Sequence, residues 1–329
     1  MFQPQSYTIA LALMIATMLC WGSWANTVKA CPGYKFQLFY WDYVIGLLCG
    51  ALVWGLTLGS FGSSGKSMFA DIFQADTHHI LLAVAGGAIF NVANLLLVAA
   101  IDIAGLAVAF PVGIGLALVV GAVSSYVLLP SGNPLFLFGG VALVVVAIVL
   151  DALAYRVRES QQRSAGLRGV VISLIAGLLM GSFYPFVSKS MAGTHALGPY
   201  AIAMVFVLGV ALCALPANYI LMRKPLAGGG TVAMRGYWGA RGAWHLWGVL
   251  GGIIWVTGAV FNFVASRANV VGPAVSYSIG QGATMISAAW GVFIWREFID
   301  APQRAKTLLA WMFLFFLCGL VAVALAPLY

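Results

Sequence analysis

Ten apolar runs of about 20 residues fill most of this chain, and a membrane-spanning helix needs a run of about that length. Only 7% of the residues are charged, against about 25% in a soluble domain. The runs are continuous rather than alternating, and only helices or closed barrels satisfy their backbone groups in lipid. We therefore predict an all-α polytopic membrane protein with ten transmembrane helices, over residues 8–28, 38–59, 79–100, 104–128, 134–155, 168–188, 199–222, 243–265, 272–295 and 307–327.

The two halves of the chain share a weak internal repeat. Shifted by 167 residues, "GLAVAFPVGIG" (105–115) lies over "GPAVSYSIGQG" (272–282), and "GSWANTVK" (22–29) is echoed by "GSFYPFVSK" (181–189). Each match alone could arise by chance between apolar helices, but together they favour duplication. Five helices per half would place the halves in opposite orientations, as inverted repeats. The predicted units are residues 1–158 and 168–329, joined by a short linker at 159–167.

Basic residues cluster in the loops that follow the first, fifth, seventh and ninth runs. By the positive-inside rule these loops are cytoplasmic, and both termini are extracytoplasmic. The formal charge of +8 thus reports orientation, and no nucleic-acid partner is predicted. The residues concerned are Lys29, Lys35, Arg156, Arg158, Arg163, Arg168, Arg223, Lys224, Arg235, Arg241, Arg296, Arg304 and Lys306.

Enzyme, metal and cofactor sites are not predicted. "SFGSSGKS" (60–67) lacks the first glycine of a phosphate-binding loop and no strand precedes it. His78 and His79 are adjacent, so on a helix they point about 100° apart and form a poor metal pair. The five cysteines contain no CxxC pair.

Polar and aromatic side chains inside the apolar runs are the candidate substrate-binding residues, because such groups are costly in lipid unless they face a cavity or another helix. Tyr277, Gln281 and Thr284 form an i, i+4, i+7 stripe, and Phe110 is the repeat counterpart of Tyr277. The alternative is that these groups hold helices together. The predicted set is Trp21, Trp24, Asn26, Asn91, Asn94, Phe110, Tyr184, Trp255, Asn262, Tyr277, Gln281 and Thr284. Such a lining suits a neutral polar solute with flat surfaces.

Asp42 and Asp151 are the candidate proton-coupling residues. Asp42 lies about one turn inside the second run, where its alternative role is to interact with the helix dipole or to pair with Lys29 or Lys35. The aromatic residues beside it are interpreted as an interfacial belt.

The alternative role of Asp151 is an interfacial ion pair with Arg156 or Arg158. Lys29 and Lys189, which end the two echoed segments, are the candidate ion-pair residues.

Residues 20–46 resemble the opening of the ureide permease family of the drug/metabolite transporter superfamily, through "CWGSWANT" (20–27) and "FYWDY" (39–43). The resemblance implies a proton-coupled importer. Plant members are associated with allantoin, uracil and xanthine, and related bacterial branches with sugars such as rhamnose, glucose and ribose. Plant members also carry a long cytosolic loop between the halves, whereas only residues 156–167 connect them here. That difference suggests a bacterial inner-membrane protein.

The expected function is import of a small neutral metabolite by alternating access, coupled to protons. Ureides or nucleobases are the first expectation and sugars the second, while export of drugs or amino acids is the alternative within the same superfamily. The expected partners are the metabolite, protons and the lipid bilayer, with the chain acting as a monomer or homodimer.

Overall fold

The computed structural model describes residues 1–62, 64–158, 167–228, 230–268 and 271–329, without the side chains of Leu106, Ala107, Phe110 and Pro111. Within these ranges the regular elements are all helical, so the predicted all-α class is confirmed. The first half contains α1 (Tyr7–Ser23), α2 (Asn26–Lys29), α3 (Phe36–Leu56), α4 (Met68–Gln74), α5 (Thr77–Ala104), α6 (Leu106–Leu128) and α7 (Pro134–Arg158). The second contains α8 (Leu167–Ser190), α9 (Pro199–Arg223), α10 (Arg235–Trp238), α11 (Gly242–Ser266), α12 (Pro273–Gly280), α13 (Ala283–Ala289), a π-helical turn (Trp290–Ile294) and α14 (Gln303–Leu325).

Among the described residues, eight helical segments are long and apolar enough to span a membrane, which supports a multi-pass membrane protein. They are Tyr7–Lys29, Phe36–Leu56, Thr77–Ala104, Pro134–Arg158, Leu167–Ser190, Pro199–Arg223, Gly242–Ser266 and Gln303–Leu325. Of the two other predicted spans, 104–128 corresponds to α6, in which the described stretch Val112–Leu128 is a shorter apolar helix. The count of ten spans remains a prediction.

The prediction of one continuous helix over 272–295 is wrong. The segment divides at Gln281 and Gly282 into α12 and α13, and then forms the π-helical turn. A Cβ atom at Gly282 would lie 2.5 Å from the Sδ atom of Met18 in α1. Glycine leaves room for the Met18 side chain here, and glycine is among the weakest helix formers.

Gly105 and Gly272, which are matched by the repeat, have almost the same backbone conformation. Their φ and ψ angles are 76° and 164° for Gly105, and 75° and 163° for Gly272. This region of φ is readily accessible only to glycine. Each glycine directly precedes the start of a helix, α6 in one half and α12 in the other.

The loops meet at two opposite ends of the bundle. At one end, Lys29, Arg158 and Glu297 form ion pairs; we call it the basic end. At the other, the N–H of Phe2 donates to the carbonyl of Leu58 and the N–H of Asn133 to that of Ala326, both at 2.7 Å. Both termini lie at this second, terminal end.

Helices α3 and α11 pack backbone against backbone. A Cβ atom at Gly46 would lie 2.0 Å from the carbonyl oxygen of Val249, and one at Gly252 would lie 2.0 Å from that of Tyr43. Small residues at such interfaces allow helices in membranes to approach closely. This contact fixes α3, which carries Asp42, against α11.

Candidate functional site

Two asparagines mark the middle of α5. Asn91 lies about 20 Å from each end of the helix at 1.5 Å per residue, and Asn94, three residues later, shares its face. Both are buried, with 0% and 5% of their surface exposed. The hydroxyl of Tyr40 in α3 donates to Oδ1 of Asn91 at 2.8 Å. Among the described residues, neither asparagine Nδ2 atom has a hydrogen-bond partner.

Aromatic faces from α3 and the α1–α2 junction adjoin these amides. The rings of Tyr40 and Tyr43 stack with centroids 5.4 Å apart, and the ring of Trp24 lies 4.9 Å from that of Tyr43. We call Trp24, Tyr40, Tyr43, Asn91 and Asn94 the central cluster. The Tyr43 hydroxyl is buried and also has no partner in the described part of the chain.

Unpartnered buried atoms are uncommon in proteins, and each costs about 1–3 kcal/mol. The central cluster holds three of them, the Tyr43 hydroxyl and the Nδ2 atoms of Asn91 and Asn94. They lie beside the packed rings of Trp24, Tyr40 and Tyr43. The cluster therefore has unused capacity to hydrogen-bond a small molecule.

A second set of buried polar side chains has hydrogen-bond partners within the protein. The Tyr184 hydroxyl donates to Oδ1 of Asn262. The Asn262 Nδ2 donates to the Ser276 carbonyl at 2.9 Å, and the Ser276 hydroxyl returns a 2.9 Å bond to the Asn262 carbonyl. The Tyr277 hydroxyl donates to the Ala117 carbonyl at 3.1 Å. We call Tyr184, Asn262, Ser276 and Tyr277 the structural cluster, because its bonds join α8, α11, α12 and α6.

Trp21 and Trp255 connect α1 to α11. Their rings stack 5.7 Å apart, and the Trp21 Nε1 donates to the Trp255 carbonyl at 3.1 Å. The remaining predicted residues lie elsewhere. Gln281 and Thr284 are buried at the break between α12 and α13.

Asn26 lies near the basic end, where its Oδ1 accepts from Trp295 Nε1 at 2.6 Å. The side chain of Phe110 is outside the described residues.

Asp42 is 2% exposed, and its carboxylate forms hydrogen bonds with three side chains. His245 Nδ1 lies 2.9 Å from Oδ2, the Tyr237 hydroxyl donates to Oδ1 at 2.6 Å, and the Tyr34 hydroxyl donates to Oδ2 at 3.1 Å. These four residues form what we call the Asp42 cluster. Burial, followed by the nearby Asp42 carboxylate, raises the pKa of Tyr34 well above its ordinary value; burial and the hydrogen bond to Asp42 do the same for the pKa of Tyr237. Both phenols therefore stay protonated as donors.

Lys29 contacts Glu297 instead of Asp42, at 2.6 Å, and Arg158 reaches the same carboxylate at 3.0 Å. Burial alone would raise the pKa of Glu297, but the hydrogen bond and charge of Lys29, together with the charge of Arg158, lower it. This three-residue ion pair joins the ends of α2 and α7 to the segment after the π-helical turn.

Asp151 is 4% exposed in α7, and its Oδ1 has no partner in the described ranges. It forms no ion pair with Arg156 or Arg158, whose described ion pair is the one between Arg158 and Glu297. Lys189 is exposed in the last turn of α8 and has no ion pair among the described residues.

The interpretation of the aromatics around Asp42 as an interfacial belt is wrong for three of them. Phe39, Tyr40 and Tyr43 are fully buried, because α3 lies against α11 and packs on α9. Tyr40 and Tyr43 are three residues apart in α3, just as Asn91 and Asn94 are in α5. This spacing, which places each pair on one helix face, was an available signal for the two tyrosines. No local signal marked His245, which is 203 residues from Asp42.

A pocket of about 390 Å³ opens at the basic end, next to the central cluster. It extends to Leu95 and Val98 of α5. Leu95 follows Asn91 by four residues and Val98 follows Asn94 by four, so all four lie on the same face of the helix. Phe36 lines the pocket and its ring lies 5.4 Å from that of Tyr40. Its other walls are residues 33–35, Gln37, Ala99, Asp102, Leu221, 225–228, Gly230 and Val232.

Comparison with known proteins places these features in a family context. Residues 39–168 match the family described as "Ureide permease", a range that contains Asp42 and all of the central cluster except Trp24. Over its whole length the chain is similar to Ureide permease 1 (23% identity) and Ureide permease 2 (22% identity) of Arabidopsis thaliana, covering 99% of this chain and 98% of each relative. The likeness to ureide permeases drawn from residues 20–46 is thus confirmed.

The alignment with Ureide permease 1 runs over 392 positions, more than the 329 residues present here, so the relative contains segments that this chain lacks. One solved crystal structure has the same fold, with a TM-score of 0.66 at 15% identity over 96% of this chain and 98% of the other.

Proposed function

We propose that this chain is a membrane transporter of the ureide permease type, and that it carries a small neutral ureide or oxo-heterocycle through the central cluster. The full-length similarity to ureide permeases supports the transport class. The three unpartnered polar atoms beside stacked aromatic rings are the observation that carries the choice of site.

The chemistry of the central cluster selects among solutes. The Nδ2 atoms of Asn91 and Asn94 are donors, and the Tyr43 hydroxyl can donate or accept. A planar ring with two or more carbonyl oxygens would occupy these donors while its faces pack on Tyr40, Tyr43 or Trp24. None of the five side chains is charged at neutral pH, so a charged solute would lie without a counter-ion.

The transport cycle that we propose is alternating access by two inverted five-helix repeats within a ten-span plan. Its support is the shared backbone conformation of Gly105 and Gly272 and the meeting of the loops at two ends. Binding near the middle of the bundle beside interrupted helices is the common plan of such carriers. The breaks at Trp24 and at Gln281 fit that plan.

Proton coupling is assigned to Asp42, with Asp151 as a second candidate. Asp42 is buried beside a histidine on the same side of the bundle as the 390 Å³ pocket, and Asp151 is a buried carboxylate with an unpartnered oxygen. By charge distribution the basic end is cytoplasmic and both termini are extracytoplasmic. The proposed location is a bacterial inner membrane.

Ligand-dependent stabilisation tests the substrate class. Purified protein is heated with allantoin, uracil, xanthine, ribose, glucose or rhamnose, and uptake of the stabilising compound is measured in proteoliposomes. We expect the oxo-heterocycles to raise Tm and to be accumulated. Stabilisation by the sugars alone would reassign the site to sugars, and the absence of stabilisation and uptake with all six would reject the proposal.

A further inference from the structure

The Asp42 cluster joins four separate segments of the chain at one carboxylate. Asp42 is in α3 and His245 in α11, while Tyr34 belongs to the connection before α3 and Tyr237 to α10. The titratable groups facing Asp42 are Tyr34, Tyr237, His245 and Cys31; burial, followed by the Asp42 charge, raises the pKa of the Cys31 thiol. No lysine or arginine of the described ranges lies within ion-pair distance of Asp42.

The four segments are not held equally. Helices α3 and α11 are fixed by their backbone contact, and a Cβ atom at Gly248 would lie 2.4 Å from the Cβ of Asp42. The connection that carries Tyr34 and the short α10 each reach the carboxylate through one phenol hydrogen bond, and the Tyr34 ring also stacks on Trp244 of α11 at 5.4 Å. A change at the carboxylate would therefore act first on these two segments.

Tyr34 also forms part of the wall of the 390 Å³ pocket, together with its neighbours Lys35 and Phe36. Phe36 contacts Tyr40 of the central cluster. One side chain thus links the Asp42 carboxylate to the space through which the central cluster would be reached from the basic end.

We propose that Asp42 and His245 share one proton-binding site, and that Tyr34 couples its protonation to the opening of the pocket at the basic end. This inference rests on the proposed transport function, and it makes His245 and Tyr34 positioning residues rather than substrate ligands.

Proton counting gives the direction of the coupling. An ionised carboxylate only accepts hydrogen bonds, whereas a protonated one has a donor and less capacity to accept. Asp42 accepts from the two phenols and bonds His245 Nδ1 as well, and the 3.1 Å bond from Tyr34 is longer than the 2.6 Å bond from Tyr237. A proton on Asp42 therefore releases Tyr34 first. The His245 side chain is 28% exposed, so its ring lies between the buried carboxylate and the surface.

The proposed coupling of Asp42 protonation to pocket opening through Tyr34, which we call the latch, can be tested without any substrate. The test is the labelling of a cysteine introduced at the bottom of the pocket. Leu95→Cys is placed in the full chain in proteoliposomes, and its modification by a charged methanethiosulfonate is followed by mass spectrometry of the peptide. At one fixed pH, Asp42→Asn mimics the protonated carboxylate and Tyr34→Phe removes the bond. We expect both to speed labelling by about fivefold or more, the lower end of usual coupling between sites. His78→Gln, an exposed histidine at the terminal end, is the matched control.

Transport against pH tests the shared proton. His245→Gln retains a hydrogen-bonding side chain but does not titrate, so we expect it to lose pH-dependent accumulation while substrate exchange without a proton gradient persists. Wild-type labelling rates in both Asp42→Asn and Tyr34→Phe would overturn the latch, and wild-type accumulation by His245→Gln would overturn the shared site. Failure of the wild type to transport any compound would reject the transport function, and the labelling result would still decide the latch.

Discussion

The central cluster and the structural cluster both contain buried tyrosines and asparagines, but they differ in how many of the polar atoms have hydrogen-bond partners. Each contains two tyrosines and at least one asparagine, all buried. In the structural cluster, Tyr184, Asn262 and Tyr277 all bond protein groups. In the central cluster the Tyr43 hydroxyl and both asparagine Nδ2 atoms have no partner within the part of the chain that the structure describes. Residue type and burial are therefore alike in the two clusters, and the difference between them is whether the hydrogen bonds are completed within the protein; the binding role of the central cluster is our proposal.

The largest effect is expected from Asn262→Leu in the structural cluster. The change leaves the Tyr184 hydroxyl and the Ser276 carbonyl without their partner, which should cost about 1–3 kcal/mol of unfolding free energy. Thermal unfolding in detergent measures it. The matched change in the central cluster, Asn94→Leu, should lower stability by less, since the Nδ2 of Asn94 has no bond to lose. Equal losses in both variants would break the comparison.

Solute binding should depend on the central cluster more than on the structural cluster, which is the reverse of the order expected for stability. Asn94→Leu removes a free donor, and we expect the stabilising solute to bind about tenfold more weakly, equivalent to about 1.4 kcal/mol. Isothermal calorimetry on protein that remains folded gives the dissociation constant. Ser276→Ala supplies the control from the structural cluster and should leave that constant within about twofold. If Asn94→Leu binds as tightly as the wild type, the central cluster is not the solute site.

The two tyrosine hydroxyls provide a sharper contrast of smaller size. Tyr277→Phe loses the bond to the Ala117 carbonyl and should cost about 0.5–1 kcal/mol, whereas Tyr43→Phe removes an unpartnered hydroxyl and should leave Tm unchanged or raise it. Differential scanning fluorimetry without solute compares them. A lower Tm for Tyr43→Phe than for Tyr277→Phe would contradict the assignment of the free hydroxyl.

The smallest effect is expected at the exposed ion pair of the basic end, which is completed by charge rather than by buried amides. Because Lys29 and Arg158 hold the pKa of Glu297 below its ordinary value in the folded protein, its stabilisation is present at neutral pH and is lost as the pH falls through that lowered pKa. Glu297→Gln should therefore lower Tm slightly at pH 7 and leave it unchanged at low pH. A Tm difference that grows on acidification would show the opposite sign.

Several features of the molecule could be predicted from short-range pattern alone. The apolar runs predicted the helical class and most of the helix positions, because the cost of unpaired backbone groups in lipid depends only on local composition. The strings at 20–27 and 39–43 indicated the family. Asn91 and Asn94 were identified because a spacing of three places both on one face of a helix.

The division of roles among those residues depended on packing. Tyr277 and Asn262, like Asn91, are polar side chains inside apolar runs. Their hydrogen bonds, however, are completed by groups of α6, α8 and α12. From the sequence, Tyr40 and Tyr43 were interpreted as interfacial aromatics. In the structure they are buried, because α3 packs against α11 and α9. The segment 272–295 divides at Gln281 and Gly282, where the Met18 side chain of α1 lies against Gly282.

The sequence by itself determined that this chain folds as an all-helical, multi-pass membrane protein similar to ureide permeases, since hydropathy and short motifs are properties of the local chain. Only the tertiary structure decided which buried polar groups remain free and which partner Asp42 has. His245 lies 203 residues from Asp42, at 2.9 Å in space. A hydrogen bond is decided by such distances, and the distances exist only after the helices have packed.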